Sequence, residues 1–342
     1  MANTTLPPSN LGIYYTALTA VGLFASVLAA VFHAEVIAHK VGEPYGTLLL
    51  AVAVTAIEVA LIVSLTIAGG AATTGLARDT VFAAVMIILN GIVGICLLAG
   101  AGRHGEQTFQ LSGVSAALAT LATISVLTMV LPNYTATMPG PVYSASQLGF
   151  IALVSIILYG TFVLVQTVRH RDYFLPATAD QDEELHAAPP SSKTTMASAA
   201  LLLACLSSVV LLAKVLSPPL EMAVLALGAP KALVGIIIAG VVLLPEGIAA
   251  FNAARANRLQ TSLNLALGSA LASIGLTIPA VAVVSLASGQ MLSLGIDAKS
   301  TVLLALTLVV STLSLSTGRT TIMQGAVHLV IFAVYLFTAI VP

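Results

Sequence analysis

The sequence predicts an all-α integral membrane protein with about ten transmembrane helices, arranged as two inverted five-helix repeats. Of its 342 residues, 58% are hydrophobic and only 7% are charged. A soluble fold of this length cannot bury so much apolar side-chain surface. Apolar segments of about 20 residues, the length that crosses a bilayer as a helix, recur along the whole chain. A single long polar connection divides these segments into five and five.

Hydropathy read against the positions of charges places the spans. The ten predicted spans are residues 12–32, 45–68, 80–100, 112–131, 147–168, 196–216, 230–252, 262–284, 300–316 and 321–341. Glycine and proline inside several spans are tolerable, because neighbouring helices satisfy the backbone groups that they free.

The long connection, residues 169–195, carries the acidic run at residues 180–184. We therefore predict an N-terminal five-helix repeat (1–168), a cytoplasmic acidic linker (169–195) and a C-terminal five-helix repeat (196–342). An odd number of spans in each half makes equivalent halves insert in opposite orientations, as in transporters built from inverted repeats.

The orientation follows from the basic residues of the loops. One side collects eight of them: Lys40, Arg103, Arg169, Arg171, Lys193, Arg255, Arg258 and Arg319. The other side has four: Arg78, Lys214, Lys231 and Lys299. The positive-inside rule then puts the acidic linker in the cytoplasm and both termini outside. The N-terminal residues lack the basic start of a signal peptide, so no cleavage is expected.

Two carboxylates lie inside apolar spans at matching places. Glu58 is in the second span of the first half, and Glu246, directly after Pro245, is in the second span of the second half. An ionisable group inside a membrane is costly and indicates function. Two carboxylates from inverted helices would meet near the midplane, where they could hold either a cation or protons. The alternative for each is a carboxyl that only hydrogen-bonds a neighbouring helix.

Further candidate ligands flank the two carboxylates. Aligning Leu76 with Leu259 brings Asn90 opposite Ser273 and Met86 opposite Ser269. Thr55 lies three residues before Glu58 and could direct its oxygen at the same ion. The candidate cation ligands are therefore Glu58, Glu246, Thr55, Asn90, Ser269 and Ser273, with proton coupling by Glu58 and Glu246. For the hydroxyls, and for Asn264 on the same predicted helix as the two serines, packing or hydrogen bonding between helices is an equal alternative.

A second group of polar residues stands between the first two spans. His33, Glu35, His39 and Glu43 could guide cations inward or sense cytoplasmic pH, because histidine titrates near neutrality. The alternative is ordinary capping and solvation at a helix end. The acidic run could likewise bind cations weakly or be a solvated linker. The other histidines, including His328, lack metal-ligand spacing and are assigned no role.

Several classes of function are disfavoured. A formal net charge of −1 argues against nucleic-acid binding. No HExxH or GxSxG motif supports an intramembrane enzyme, and no filter-like repeat supports a channel, which stays the least favoured alternative. Cys96 and Cys205 lie in apolar runs typical of packed cysteines. We expect no cofactor; the partners are inorganic cations, protons and the lipid bilayer, and the oligomeric state is left open.

The residues around the two carboxylates resemble a known family. GEPYGTLLLAVAVTAIEVALI at residues 42–62 and LLPEGIAAFNAARANRLQTSLNLALGSALASIGLTIP at residues 243–279 resemble the repeats of the cation/calcium exchanger superfamily, in particular its bacterial ChaA-type calcium (sodium, potassium)/proton antiporters. The resemblance implies a sodium/calcium exchanger-like fold in a bacterial inner membrane. It also implies export of Ca²⁺, and of Na⁺ or K⁺, against protons by alternating access. Glu58 and Glu246 match the family's paired acidic residues.

The chain departs from the calcium/proton exchanger pattern beside each glutamate. Those proteins carry GNxxE, whereas the equivalent pairs here are Val54–Thr55 and Val242–Leu243. Without the two asparagines fewer side-chain oxygens are available, so the sequence leaves the choice between Ca²⁺, Na⁺ and K⁺ open. A sodium/calcium exchanger of the same superfamily is the alternative function.

Overall fold

The computed structural model describes residues 10–42, 45–69, 73–175, 190–226, 228, 230 and 232–341. These residues form eleven α-helices: α1 (Asn10–Val41), α2 (Tyr45–Gly69), α3 (Leu76–Met86), α4 (Val93–His104), α5 (Leu111–Ser125), α6 (Ala145–Leu164), α7 (Ser192–Ala226), α8 (Ala232–Arg255), α9 (Leu259–Ser288), α10 (Ala298–Leu315) and α11 (Ile322–Ile340). They also form two short strands, β1 (Gln107–Thr108) and β2 (Arg319–Thr320).

Three of the membrane-crossing helices contain wider π turns. The segment Ile87–Ile92, called the π segment below, joins α3 to α4 in one continuous helix. Helix α5 continues through a π turn at Val126–Val130 and a 3₁₀ turn at Leu131–Tyr134, and α6 continues through a π turn at Val165–Arg169. Such turns have i→i+5 hydrogen bonds and occur frequently at functional sites.

The predicted all-helical membrane architecture is confirmed. Among the described residues, nine helical stretches are long and apolar enough to cross a bilayer, and α2 adds the shorter apolar stretch Val52–Ile67. Together they correspond to the ten predicted spans. The protein is an integral membrane protein of two five-helix halves.

Two helices extend furthest beyond their predicted spans. Helix α1 runs to Val41 rather than ending at residue 32, and α7 runs from Ser192 to Ala226 rather than ending at residue 216. Hydropathy marks only the part of a helix inside the hydrocarbon, whereas its backbone hydrogen bonds continue through the headgroup region. Pro218 and Pro219 lie within α7. Each proline removes one backbone donor, and a membrane helix accommodates this loss, so α7 continues through both residues.

Helix α9 forms the centre of the molecule. It packs against α2, α5, α6 and α8, and most of its residues are buried. Small side chains allow these close approaches: a methyl group at Gly275 would lie 2.9 Å from Tyr159 Cβ of α6. Helix α1 instead packs along α7 and α2.

The connections gather at two opposite ends of the bundle. At one end β1 pairs antiparallel with β2, and Gln107 Nε2 donates to the Ala254 carbonyl at the end of α8. At the other end Val142 bridges to Ser293, and Asn133 Nδ2 donates to the Ile296 carbonyl. Each end therefore ties loops of the first half to loops of the second.

Candidate functional site

The two membrane carboxylates occupy equivalent places in the two halves. Glu58 lies in the middle of α2, with a relative exposure of only 3%, and Glu246 is partly buried in the middle of α8. Each helix is the second transmembrane helix of its half. Pro245 precedes Glu246 within α8 and does not end the helix.

Both carboxylates accept a hydrogen bond from α9. Ser273 Oγ donates to Glu58 Oε1 at 2.7 Å, and Ser269 Oγ donates to Glu246 Oε2 at 2.5 Å. The two serines are four residues apart, so they lie on one face of α9 about 6 Å apart along its axis. One turn of α9 therefore brings together the carboxylate of the first half and that of the second.

The two halves do not contribute equally to this arrangement. The aligned residues Leu76 and Leu259 are the first residues of α3 and α9, so the two helices share a register. In that register α3 has Met86 where α9 has Ser269, and its thioether cannot donate as the serine hydroxyl does. Both hydroxyls that bond the carboxylates consequently come from α9.

Asn90, the third polar candidate, bonds different residues. It is fully buried in the π segment, its Nδ2 donates to Thr307 Oγ1 of α10 at 2.9 Å, and its Oδ1 lies 3.3 Å from His328 Nδ1 of α11. Thr307 and His328 were not among the sequence candidates. The signal that could have found His328 is its position in an apolar span, where an ionisable side chain is rare.

The remaining candidates lie at varying distances from this centre. Thr55 is buried on α2, one turn before Glu58. Thr277 continues the serine stripe of α9, and its buried Oγ1 has no hydrogen-bond partner among the described residues. Asn264 bonds elsewhere, donating to the Phe174 carbonyl at 2.6 Å and accepting from Gln260.

The predicted entrance residues lie mostly on α1. His33 Nδ1 is 3.4 Å from Ser198 Oγ of α7, whereas Glu35 and His39 are exposed on the same helix. Glu43 and the acidic run 180–184 lie outside the described residues. The structure thus brings His33 into contact with the second half of the chain.

The chemistry available at the centre is that of oxygen ligands. The described residues contain no cluster of three or more His, Cys, Asp or Glu side chains. Two carboxylates with adjacent hydroxyls suit a hard cation, whose charge the carboxylates balance while hydroxyls and water complete its shell. The same carboxylates can bind protons instead.

Each half brings one carboxylate to a shared central helix inside the membrane, an arrangement typical of ion carriers. The family described as sodium/calcium exchanger protein matches residues 11–168 and 197–341, and the chain belongs to this family. The resemblance inferred from the sequence is confirmed. The protein is a transporter of the superfamily that comprises cation/proton and sodium/calcium exchangers.

Individual relatives agree with this assignment. The chain is 54% identical over 324 residues to the y4hA protein of Sinorhizobium fredii, a match that covers 94% of this chain and 87% of that protein. It is 35% identical over 323 residues to the sodium-potassium/proton antiporter ChaA of Escherichia coli, again over 94% and 87%. The structure of native YfkE has a TM-score of 0.73 at 18% identity, covering 96% of this chain and 92% of that one.

Proposed function

We propose that this protein is a secondary active antiporter that exports a cation in exchange for protons by alternating access. The carboxylates of Glu58 and Glu246 form the shared site that binds either the cation or protons. The observation that carries the proposal is the pair of hydrogen bonds from Ser273 and Ser269, because they hold one carboxylate of each half on adjacent turns of α9.

The arrangement explains exchange in electrostatic terms. Two close carboxylates in a site of low dielectric constant cannot both stay charged without a partner. Either a cation neutralises them or they take up protons, so loading one species releases the other. Export of the cation is then driven by protons that enter along their gradient.

The candidate ions are Ca²⁺, Na⁺ and K⁺. The relative ChaA is named a sodium-potassium/proton antiporter, and YfkE is named a Ca²⁺/H⁺ antiporter. Thr55 and Leu243 stand where the calcium pattern has asparagine, which leaves the carboxylates and hydroxyls as the main ligands. Thr55, Ser269 and Ser273 complete the proposed site, and Asn90 belongs to it through the π segment.

We assign the N-terminal half (1–168) and the C-terminal half (196–342) as the two inverted repeats, joined by a cytoplasmic linker (169–195). Both termini face the outside of a bacterial inner membrane. His33, Glu35, His39 and Glu43 then lie at the cytoplasmic entrance, where the carboxylates would attract cations and the histidines would sense pH.

Exchange by everted vesicles tests the proposal. A preset pH gradient is followed with a quenching dye while Ca²⁺, Na⁺ or K⁺ is added in separate runs. We expect at least one ion to dissipate the gradient through the unmodified protein. Cation flux that needs a Na⁺ gradient and ignores the pH gradient would instead identify a sodium/calcium exchanger.

The carboxylates are tested in the same vesicles. Glu58→Gln and Glu246→Gln keep the side-chain volume but remove the charge, so each is expected to abolish exchange while membrane insertion continues. Glu106→Gln is the matched control, because Glu106 makes an exposed salt bridge with Arg319 far from the site. Continued ion exchange by Glu58→Gln or Glu246→Gln would refute the role assigned to that carboxylate.

A further inference from the structure

The cluster that surrounds Asn90 lies outside both carboxylate-bearing helices. It joins the π segment to α10 and α11, and its three polar members, Asn90, Thr307 and His328, are fully buried. Burying a polar side chain inside a membrane is costly unless it is hydrogen-bonded. A cluster of three buried polar side chains therefore needs an explanation.

The hydrogen-bond directions define the arrangement. Thr307 Oγ1 donates to Met86 Sδ at 3.5 Å, so its lone pairs accept from Asn90 Nδ2. Asn90 Oδ1 therefore faces His328, and only a protonated Nδ1 can donate to it. The imidazole is held as the Nδ1–H tautomer, with its Nε2 buried and without a partner among the described residues.

His328 also packs against the backbone that follows the π segment. A methyl group at Gly94, two residues after Ile92, would lie 3.1 Å from His328 Cβ. His328 therefore contacts both the side chain of Asn90 and the helix backbone next to the turn that carries it.

The same turn reaches the carboxylate helix. A methyl group at Gly247, the residue after Glu246, would lie 3.2 Å from Ile92 Cδ1. The π segment is equally tight on its other side, where a methyl group at Gly91 would lie 3.3 Å from Phe332 Cε1 of α11. With contacts this close, a shift of the π segment changes the position of α8 next to Glu246.

We propose that His328 and Thr307 are positioning residues for the cation site. They hold Asn90 and the π segment, and the π segment holds α8 at Glu246 through Ile92 and Gly247. This inference rests on the proposed function and extends the site to α10 and α11, which carry neither carboxylate.

Two substitutions of His328 separate positioning from packing. His328→Leu removes the donor to Asn90, whereas the amide of His328→Asn retains an N–H group for it. In proteoliposomes with a fixed pH gradient, we expect His328→Leu to raise the KM for the transported cation by about three- to tenfold, the effect of a lost neutral hydrogen bond, with a smaller change in maximal rate. His328→Asn should stay within about twofold of the unmodified protein.

Thr307 provides a second pair of variants. Thr307→Val removes the acceptor of Asn90 at nearly constant volume, and Thr307→Ser keeps it. We expect the valine variant to raise the KM and the serine variant not to. This pair decides the question if His328→Leu fails to insert into the membrane. An unchanged KM in the leucine and valine variants, or equal damage in the conservative and apolar variants, would overturn the proposal.

A measurement without transport keeps the two proposals distinguishable. Hydrogen exchange of residues 87–92 in the detergent-solubilised protein should be faster in His328→Leu and unchanged in His328→Asn. If the unmodified protein exchanges no cation, the proposed function fails while this measurement still tests the hold on the π segment. If the unmodified protein transports a cation but the rate of amide hydrogen exchange at residues 87–92 is equal in all variants, only the positioning role is refuted.

Discussion

Each membrane carboxylate accepts a hydrogen bond from one serine of α9. This contact distinguishes the two serines from the other polar residues of that helix. Ser273 reaches Glu58 across 215 positions of the chain, whereas Ser269 reaches Glu246 within the second half. A hydroxyl beside a carboxylate can donate a hydrogen bond to it or turn its lone pair towards a bound cation. The serines are therefore expected to affect cation affinity directly.

Replacing these serines tests that expectation. Ser273→Ala should raise the KM for the cation about tenfold or more, because it removes a hydroxyl ligand of the proposed site; an interaction with a charged group contributes about 1.5–3 kcal/mol, and about 1.4 kcal/mol corresponds to a factor of ten. Ser269→Ala should behave similarly. Initial rates in proteoliposomes give the KM.

Ser285→Ala is the control for both serine variants. Ser285 lies on the same helix, but its hydroxyl donates to the Gln290 carbonyl at the far end of α9. The Ser285→Ala variant should leave the KM for the cation unchanged. A KM increase in Ser285→Ala equal to that in Ser273→Ala would show that the effect comes from the helix as a whole.

At the scale of the element, α10 has a charged N-cap outside its membrane-spanning part. Asp297 Oδ1 accepts from the Ser300 backbone N–H at 2.8 Å. Burial by itself raises the pKa of Asp297, but the hydrogen bonds from Ser300 and the charges of Lys299 and Arg78 outweigh it and lower the pKa below its ordinary value. The ionised form is thus bound more strongly in the folded protein.

This shift predicts a pH-dependent stability. A carboxyl with a lowered pKa in the folded state stabilises it at pH values above the ordinary carboxyl pKa, and the contribution is lost as pH falls through the lower folded value. Asp297→Asn keeps the cap but removes the charge, which costs about 0.3–1 kcal/mol at a helix N-terminus. We expect a lower melting temperature for the variant at pH 7 and equal values at the acid limit. A difference that persists unchanged to the lowest pH would contradict this reading.

The π segment shows how one element depends on others. Its side chain Asn90 was predicted from a single amide in an apolar span, and the element itself was expected to be an ordinary helix. Periodicity over 11 residues or so does not distinguish α from π turns. The side chain of Asn90 bonds Thr307 and His328, which are 217 and 238 positions away in the chain.

At the scale of the whole molecule, the two groups of loops define the ends that the orientation assigns to the cytoplasm and the outside. Arg103 lies at the end with β1 and β2, and Met138 lies at the end with Val142 and Ser293; both are exposed. The excess of basic residues at the first end favours its placement in the cytoplasm.

Thiol labelling checks this orientation. In a background with Cys96→Ala and Cys205→Ala, an impermeant charged reagent should label Met138→Cys in intact cells. Arg103→Cys should be labelled only after permeabilisation, because the bilayer separates it from the reagent. The opposite result would reverse the orientation, and labelling of both in intact cells would refute the assignment of the two ends.

The sequence by itself determined the membrane class, the ten spans and the two-repeat fold, and it singled out Glu58 and Glu246 in matching spans. These follow from local properties: an apolar run long enough to cross a bilayer, and a carboxylate that is costly inside it. Helices α1 and α7 extend beyond their predicted spans, because hydropathy reports the apolar part of a helix and not the extent of its backbone hydrogen bonds.

Only the tertiary structure decided which groups meet. Alignment of the halves placed Asn90 opposite Ser273, but it could not show that Ser273 bonds Glu58 while Asn90 bonds Thr307 and His328. Side-chain partners depend on how helices distant in the chain rotate and pack, and that geometry has no local signal in the sequence. The two halves share the positions of their carboxylates. Because the first half has Met86 where the second has Ser269, both hydroxyls that bond the carboxylates come from the second half.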